Sequence, residues 1–182
     1  MSHLKIVIAP DSFKESMTAK EVAQAIQQGF QEVWDNYITF DLIPMADGGE
    51  GTTEALKEAL NATSYTAKVK DPLHREIEAM YAISDQHQTA IIEMAAASGL
   101  DLLKDDERNP LYTSSYGTGQ LINHAFHHGV KKIILGIGGS ATNDGGVGML
   151  QALGVSFKDV DGKEIAQGGA ALSSIHRIDI SQ

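Results

Sequence analysis

Residues 4 to 9 form a short apolar run rich in Ile and Val, stopped by Pro10, and predict a strand buried on both faces. A polar loop follows, and then Thr18 and Glu21 form an S/T-x-x-E capping box ahead of Val22, Ile26, Phe30 and Val33 at helical spacing, so a helix is expected from about Ala19. The same grammar repeats at once: residues 38 to 43 read as a strand, Pro44 as its stop, and Ala55, Leu56, Ala59 and Leu60 as the inner face of a short helix beginning near Thr52. Two successive strand-helix units predict a parallel pair. Ligands of parallel sheets bind beyond the carboxyl ends of the strands, so the loops carrying Asp11, Lys14, Asp47 and Glu50 are expected at one cleft.

From Ser64 the period falls from about 3.6 to 2. Tyr65, Ala67 and Val69, then Ile77, Ala79, Tyr81 and Ile83, then residues 90 to 94 read as an antiparallel meander, with a turn at 71–74 and a domain change near 61–64. Ser115 or Thr118 can cap a helix that turns Leu121, Ile122, Ala125 and Phe126 inward and ends at Gly129. A strand at 133–137 runs next into Gly138-Gly139-Ser140-Ala141-Thr142-Asn143-Asp144-Gly145-Gly146. Near the end, Asp161-Gly162 between short apolar stretches predicts a hairpin.

The glycine run carries the chemistry. Glycine lets backbone N–H groups approach a ligand closely, and a helix N-terminus adds positive potential, so this loop suits an anion such as phosphate. It lacks the lysine of a P-loop, which leaves Lys14 and Arg108 as candidate cations. Gly136-x-Gly138-x-x-Ala141 with Asp159 downstream also matches a dinucleotide fingerprint, which keeps an NAD(P)-dependent oxidoreductase open as an alternative. Asp47-Gly48-Gly49-Glu50-Gly51 sets two carboxylates three apart among glycines, an arrangement suited to Mg²⁺ or to orienting a hydroxyl, or simply to an acidic helix cap. Glu93, in an otherwise apolar strand, is either a site residue or a half-exposed carboxylate at a strand end. His127 and His128 sit at a predicted helix end and are read as satisfying carbonyls; the other histidines show no metal-ligand spacing.

With 24 acidic against 14 basic residues, the net charge of −10 disfavours nucleic acid and anionic membranes as partners. No cysteine is present and no apolar run approaches the ~20 residues of a membrane span, so a cytoplasmic protein without an export leader is expected. The sequence stops just after apolar residues resume at Ile178 and Ile180, which reads as a fragment. A non-catalytic remnant is therefore a second alternative, and an apolar surface left uncovered would favour homo-oligomers.

Four phrases together resemble the bacterial glycerate kinase family, type I. They are residues 6–16 (IVIAPDSFKES), 46–52 (ADGGEGT), 92–100 (IEMAAASGL) and 136–146 (GIGGSATNDGG); Arg108-Asn109-Pro110 and Ser115-Tyr116-Gly117-Thr118-Gly119 are similar to it as well. The resemblance runs the whole chain but covers only the N-terminal portion of such proteins. It implies an incomplete flavodoxin-like parallel-sheet domain in residues 1–63 and a second, inserted α/β domain with a mixed sheet in 64–182. It further implies ATP-dependent, Mg²⁺-dependent phosphorylation of D-glycerate, most simply at the 2-hydroxyl, between the two domains. The expected catalytic residues are Asp47, Asp144 and Lys14. Substrate and phosphate would be held by Asp11, Ser12, Gly48, Gly49, Glu50, Arg108, Gly138, Gly139, Ser140, Thr142 and Asn143, and the metal by Asp47 and Glu50.

Overall fold

The structure, a computed structural model, describes residues 4–13, 16–34, 38–49, 51–86 and 88–181. The chain is a mixed α/β protein. Strand β1 (Leu4–Ile8), helix α1 (Ala19–Val33), strand β2 (Ile38–Leu42) and helix α2 (Thr52–Ala59) follow in the expected order, and β1 pairs parallel with β2 from Leu4 opposite Ile38 to Ile8 opposite Leu42. The capping box forms as its residues require: Thr18 Oγ1 accepts the Glu21 amide and the Glu21 carboxylate accepts the Thr18 amide at 2.8 Å. The Thr18 amide first, and the Thr18 hydroxyl next, hold the Glu21 carboxyl below the ordinary carboxylate range.

Burial of this unit departs from the sequence reading. Ile8, Val22 and Ala23 are buried, but Val7 is 57% and Val33 68% exposed, and Leu4 and Ile26 are open too. A two-stranded sheet offers each strand one neighbour, and no second layer lies over the outer side of β1 among the described residues. The apolar pattern is present without its cover.

A separate four-stranded sheet comprises β3 (Thr63–Lys70), β4 (Glu76–Ser84), β5 (Thr89–Glu93) and β6 (Lys132–Gly136), in that spatial order. The first two pairings are antiparallel and β5–β6 is parallel. The parallel step requires a crossover, supplied by the short helix α3 (Ala95–Ser98) and by α4 (Tyr116–His127). Strand alternation divides the sheet into two faces. On one, Val69, Ala79, Tyr81, Ile83, Ala90 and Ile92 pack with Leu121, Ile122 and Ala125 of α4 into the main core. On the other, Ala82 and Ile91 are fully buried on the side where α2 packs against β4 and β5. Burying one Ile of this kind stabilises by roughly 1.5–3 kcal/mol.

Phe126 is not part of that core; it lies at the edge of the helical stripe and is exposed. His127 Nδ1 bonds the Asn123 carbonyl at 2.7 Å and Gly129 ends the helix at φ +77°, both as expected of a helix terminus. Helix α5 (Val147–Ala152) packs on α4, and β7 (Ser156–Lys158) pairs antiparallel with β8 (Arg177–Asp179) over a small core of Val147, Phe157 and Ile165. The Asp161-Gly162 turn closes with the Asp159 amide donating to the Lys163 carbonyl. The Asp159 side chain accepts the amides of Asp161 and Lys163, and Gly162 supplies the left-handed residue. No helix among the described residues is long and apolar enough to cross a membrane.

Candidate phosphate-binding site

The loops after β1 and β2 leave the sheet side by side. The Ile43 amide donates to the Ile8 carbonyl at 2.8 Å and the Met45 amide to the Pro10 carbonyl at 2.9 Å, which carries the parallel pairing past the strand ends. Beside them lies a groove of about 360 Å³ whose walls include Asp11, Ser12, Phe13, Met17, Met45 and Glu54; Lys20 and Glu58, which also line it, pair at 3.3 Å. Asp11 is exposed and takes the Ser12 amide on Oδ1. Lys14 and Glu50 lie outside the described residues.

The acidic turn is built by its own side chains. Asp47 Oδ1 accepts the Gly49 amide at 3.0 Å, while Thr52 Oγ1 accepts the Gly48 amide and donates to the Gly49 carbonyl at 2.7 Å. Gly48 at φ +94° permits the bend. The Asp47 side chain remains exposed.

This turn meets the glycine loop directly. The Gly138 amide donates to the Gly48 carbonyl at 2.8 Å. A Cβ on Gly136 would stand 2.7 Å from that same carbonyl oxygen, and one on Gly138 only 2.6 Å from Gly49 Cα. Glycine is required at both positions because backbone touches backbone. The other edge of the loop is tied to the end of α3, with the Ala141 amide on the Ser98 carbonyl and the Leu100 amide on the Gly139 carbonyl. Ser140 Oγ accepts the Thr142 amide and meets Thr142 Oγ1 at 2.8 Å. Among the described residues, the amides of Gly139, Ser140, Asn143 and Gly145 have no hydrogen-bond partner. Anchored on both sides with donors uncommitted, the loop is suited to hold an anion.

Asp144 sits differently. It is 2% exposed, and its carboxylate accepts the amides of Ser115 (2.8 Å), Gly146 (3.0 Å) and Gly148 (3.2 Å) together with the Ser115 hydroxyl, which in turn accepts the Met149 amide. It ties the N-termini of α4 and α5 together. Arg108 is exposed and pairs with Asp105 at 2.8 Å. The structure thus brings Gly48 and Gly49 against the 138–143 loop, sets Asp11 and Ser12 at the neighbouring groove, and keeps Asp144 and Arg108 in other bonds.

Sequence reasoning missed a clamp that braces the segment after α3. Buried Asp71 accepts the amides of Leu73 and Arg75 at 2.8 Å and pairs with the Arg75 guanidinium, which reaches Glu107 at 2.8 Å and the Leu102 carbonyl at 3.1 Å. The Lys104 amide first, and Arg75 next, hold the Glu107 carboxyl below its usual range. An Asp four residues before an Arg across a turn is a local signal that could have found this clamp. Ser115 stood out only as a helix cap, and its hydroxyl serves Asp144 instead.

The segment between β6 and α5 also bears on the dinucleotide alternative. Ten residues, 137–146, separate Gly136 from Val147, and none is helical, whereas that fingerprint needs the helix to start within the glycine turn. Comparison with known proteins points elsewhere. The sequence profile of the Glycerate kinase family matches residues 6–182. A glycerate kinase of Halalkalibacterium halodurans is 54% identical over 177 residues, covering 97% of this chain and 46% of that protein. The glycerate 2-kinase of Escherichia coli K12 is 52% identical over 180 residues, 98% and 46% of the respective chains. The crystal structure of a Salmonella typhimurium LT2 protein provisionally assigned as glycerate kinase 2 superposes with a TM-score of 0.86 at 53% identity, covering 98% of this chain and 48% of that one. The chain spans about half the length of the curated relatives it matches. A family match across residues 6–182, together with relatives more than half identical over nearly the whole chain, places this chain in the glycerate kinase family.

Proposed function

We propose that the junction of the acidic turn and the glycine loop is the phosphoryl-transfer site of a cytoplasmic, ATP-dependent glycerate kinase that forms 2-phosphoglycerate. The observation that carries this reading is the Gly138 amide on the Gly48 carbonyl, which sets a loop of uncommitted donors beside the Asp47 carboxylate. Phosphoryl transfer asks mostly for positioning and charge neutralisation, and backbone donors fixed before the ligand arrives serve both.

In this scheme Gly139, Ser140, Thr142 and Asn143 surround nucleotide phosphate, and Asp11 and Ser12 hold the glycerate end of the neighbouring groove. The acceptor hydroxyl attacks the terminal phosphorus, the bond to the departing ADP oxygen breaks in line, and the hydroxyl proton leaves toward a carboxylate at the turn. Asp47 is the exposed carboxylate placed there. No group of three or more His, Asp or Glu side chains among the described residues could cage a metal alone. Asp47 is the exposed carboxylate that would hold a Mg²⁺, with Glu50 as the second candidate ligand by sequence, since this ion commonly binds through one or two carboxylates plus phosphates. When bound it would neutralise charge on the transferred group. Lys14 is the cation we assign to the phosphate or to the glycerate carboxylate. Asp144, buried and hydrogen-bonded to Ser115, Gly146 and Gly148, serves to support the loop.

The test is glycerate-dependent ADP release, with ³¹P NMR identifying the phosphorylated hydroxyl. The 182-residue chain and a longer protein containing it are assayed in parallel. Turnover with an Asp47→Asn loss of about 100-fold or more supports the scheme. ADP release indifferent to glycerate, or Asp47→Asn at wild-type rate, overturns it. Turnover by the longer protein alone assigns the short chain the role of a binding half.

A further inference from the structure

Glu93 is a charged residue placed where the strand pattern calls for an apolar one. Ile91 and Ile92 beside it are fully buried, and alternation along β5 sends Glu93 to the face of Ile91, the side covered by α2. There it meets a helix with a defective start. The residue before α2 is Gly51, at φ +87°, which has no side chain to accept the first-turn amides. Glu93 Oε1 takes that place, accepting the Thr53 amide at 2.5 Å from 40 residues along the chain. A carboxylate also suits the positive end of a helix.

The same strand end reaches the glycine loop. Glu93 lies opposite Gly136 in the β5–β6 ladder, the next amide, Met94, donates to the Gly136 carbonyl at 2.8 Å, and Gly136 packs against Gly48. One residue therefore touches both halves of the junction: through its side chain the helix that follows the acidic turn, through its backbone the strand that launches the glycine loop.

We propose that Glu93 is a positioning residue, a helix cap supplied from another strand, which fixes the separation of the Asp47 turn from the Gly138–Asn143 loop. The inference rests on the reading of that junction as the transfer site. Glu93 itself touches no reacting group.

The test uses the full native chain and three variants. Glu93→Ala removes the acceptor, Glu93→Gln keeps an acceptor oxygen without the charge, and Thr53→Pro deletes the donor at a first-turn position where proline is tolerated. Amide hydrogen exchange is the readout that needs no activity. In Glu93→Ala and Thr53→Pro, exchange at residues 48–56 and at Gly138 should rise about tenfold or more, the scale of a lost cap, while β3 and β4 stay unchanged. Glu93→Gln should stay within about threefold of wild type. Kinetically, Glu93→Ala should lower kcat about tenfold or more with little change in KM, and Glu93→Gln should restore most of it. Unchanged exchange at both segments in Glu93→Ala overturns the proposal, as does an equal rise throughout the chain or full kcat in an active enzyme. If the wild type transfers no phosphate to glycerate, the functional reading fails and the exchange measurements still decide the role of Glu93.

Discussion

At the scale of single residues, what a side chain does follows from what already surrounds it. Asp144 stands among Asn143, Gly145 and Gly146, and by composition alone it looks like a ligand-facing carboxylate; its burial and four donors cannot be read from the sequence. Asp144→Ala strands the amides of Ser115, Gly146 and Gly148 in a buried setting, so it should destabilise the chain by about 2–3 kcal/mol, read from urea unfolding midpoints. Asp47, exposed and carrying one local bond, should show the opposite profile, with stability within about 0.5 kcal/mol of wild type for Asp47→Asn. His124 has a further consequence. Tyr81 Oη meets its Nδ1 at 2.7 Å, and burial, with His128 and His127 nearby, holds its pKa below the ordinary 6.5. Burial also pushes the Tyr81 phenol up to about 12, so that group stays neutral throughout. As pH falls below 6.5 the unfolded chain takes up a proton before the folded one, so folding free energy is lost from there down through the folded pKa. The unfolding midpoint should therefore drop as pH falls below 6.5, and His124→Asn should flatten that slope.

At the scale of elements, periodicity was a good guide wherever the partner surface is local. The Thr18–Glu21 box, the meander of β3 to β5, the Leu121-Ile122-Ala125 stripe and the Gly162 turn all form because each encodes its own hydrogen bonds or face. Phe126 and the outer side of β1 did not follow, since whether an apolar residue is covered depends on a second layer that its own segment cannot specify. The glycine loop was legible as a loop, while its contact with the acidic turn was not: the two are far apart in sequence and meet only through tertiary packing. That contact makes Gly138→Ala informative. A methyl group 2.6 Å from Gly49 Cα must push the loops apart, so nucleotide affinity should fall at least about tenfold in calorimetric titration while far-UV circular dichroism stays unchanged.

At the scale of the whole molecule, the two sheets are unequally finished. The four-stranded sheet has a filled core on the α4 side and α2 on part of the other, whereas the β1–β2 unit leaves Leu4 and Val7 of β1 and Val33 and Trp34 at the end of α1 open to solvent. Relatives about twice as long have chain to lay over such a surface. Expressed alone, the 182-residue chain should self-associate with rising concentration in light scattering, and Val7→Lys with Val33→Lys should return it to a monomer.

The seam between the acidic turn and the glycine loop consists of peptide groups alone. It carries no ionisable atom of its own, so pH and salt can act on it only through neighbours such as Glu93. Neither Gly136 nor Gly138 can take a side chain without parting the seam, so the spacing of the two loops is a tightly held dimension of the site.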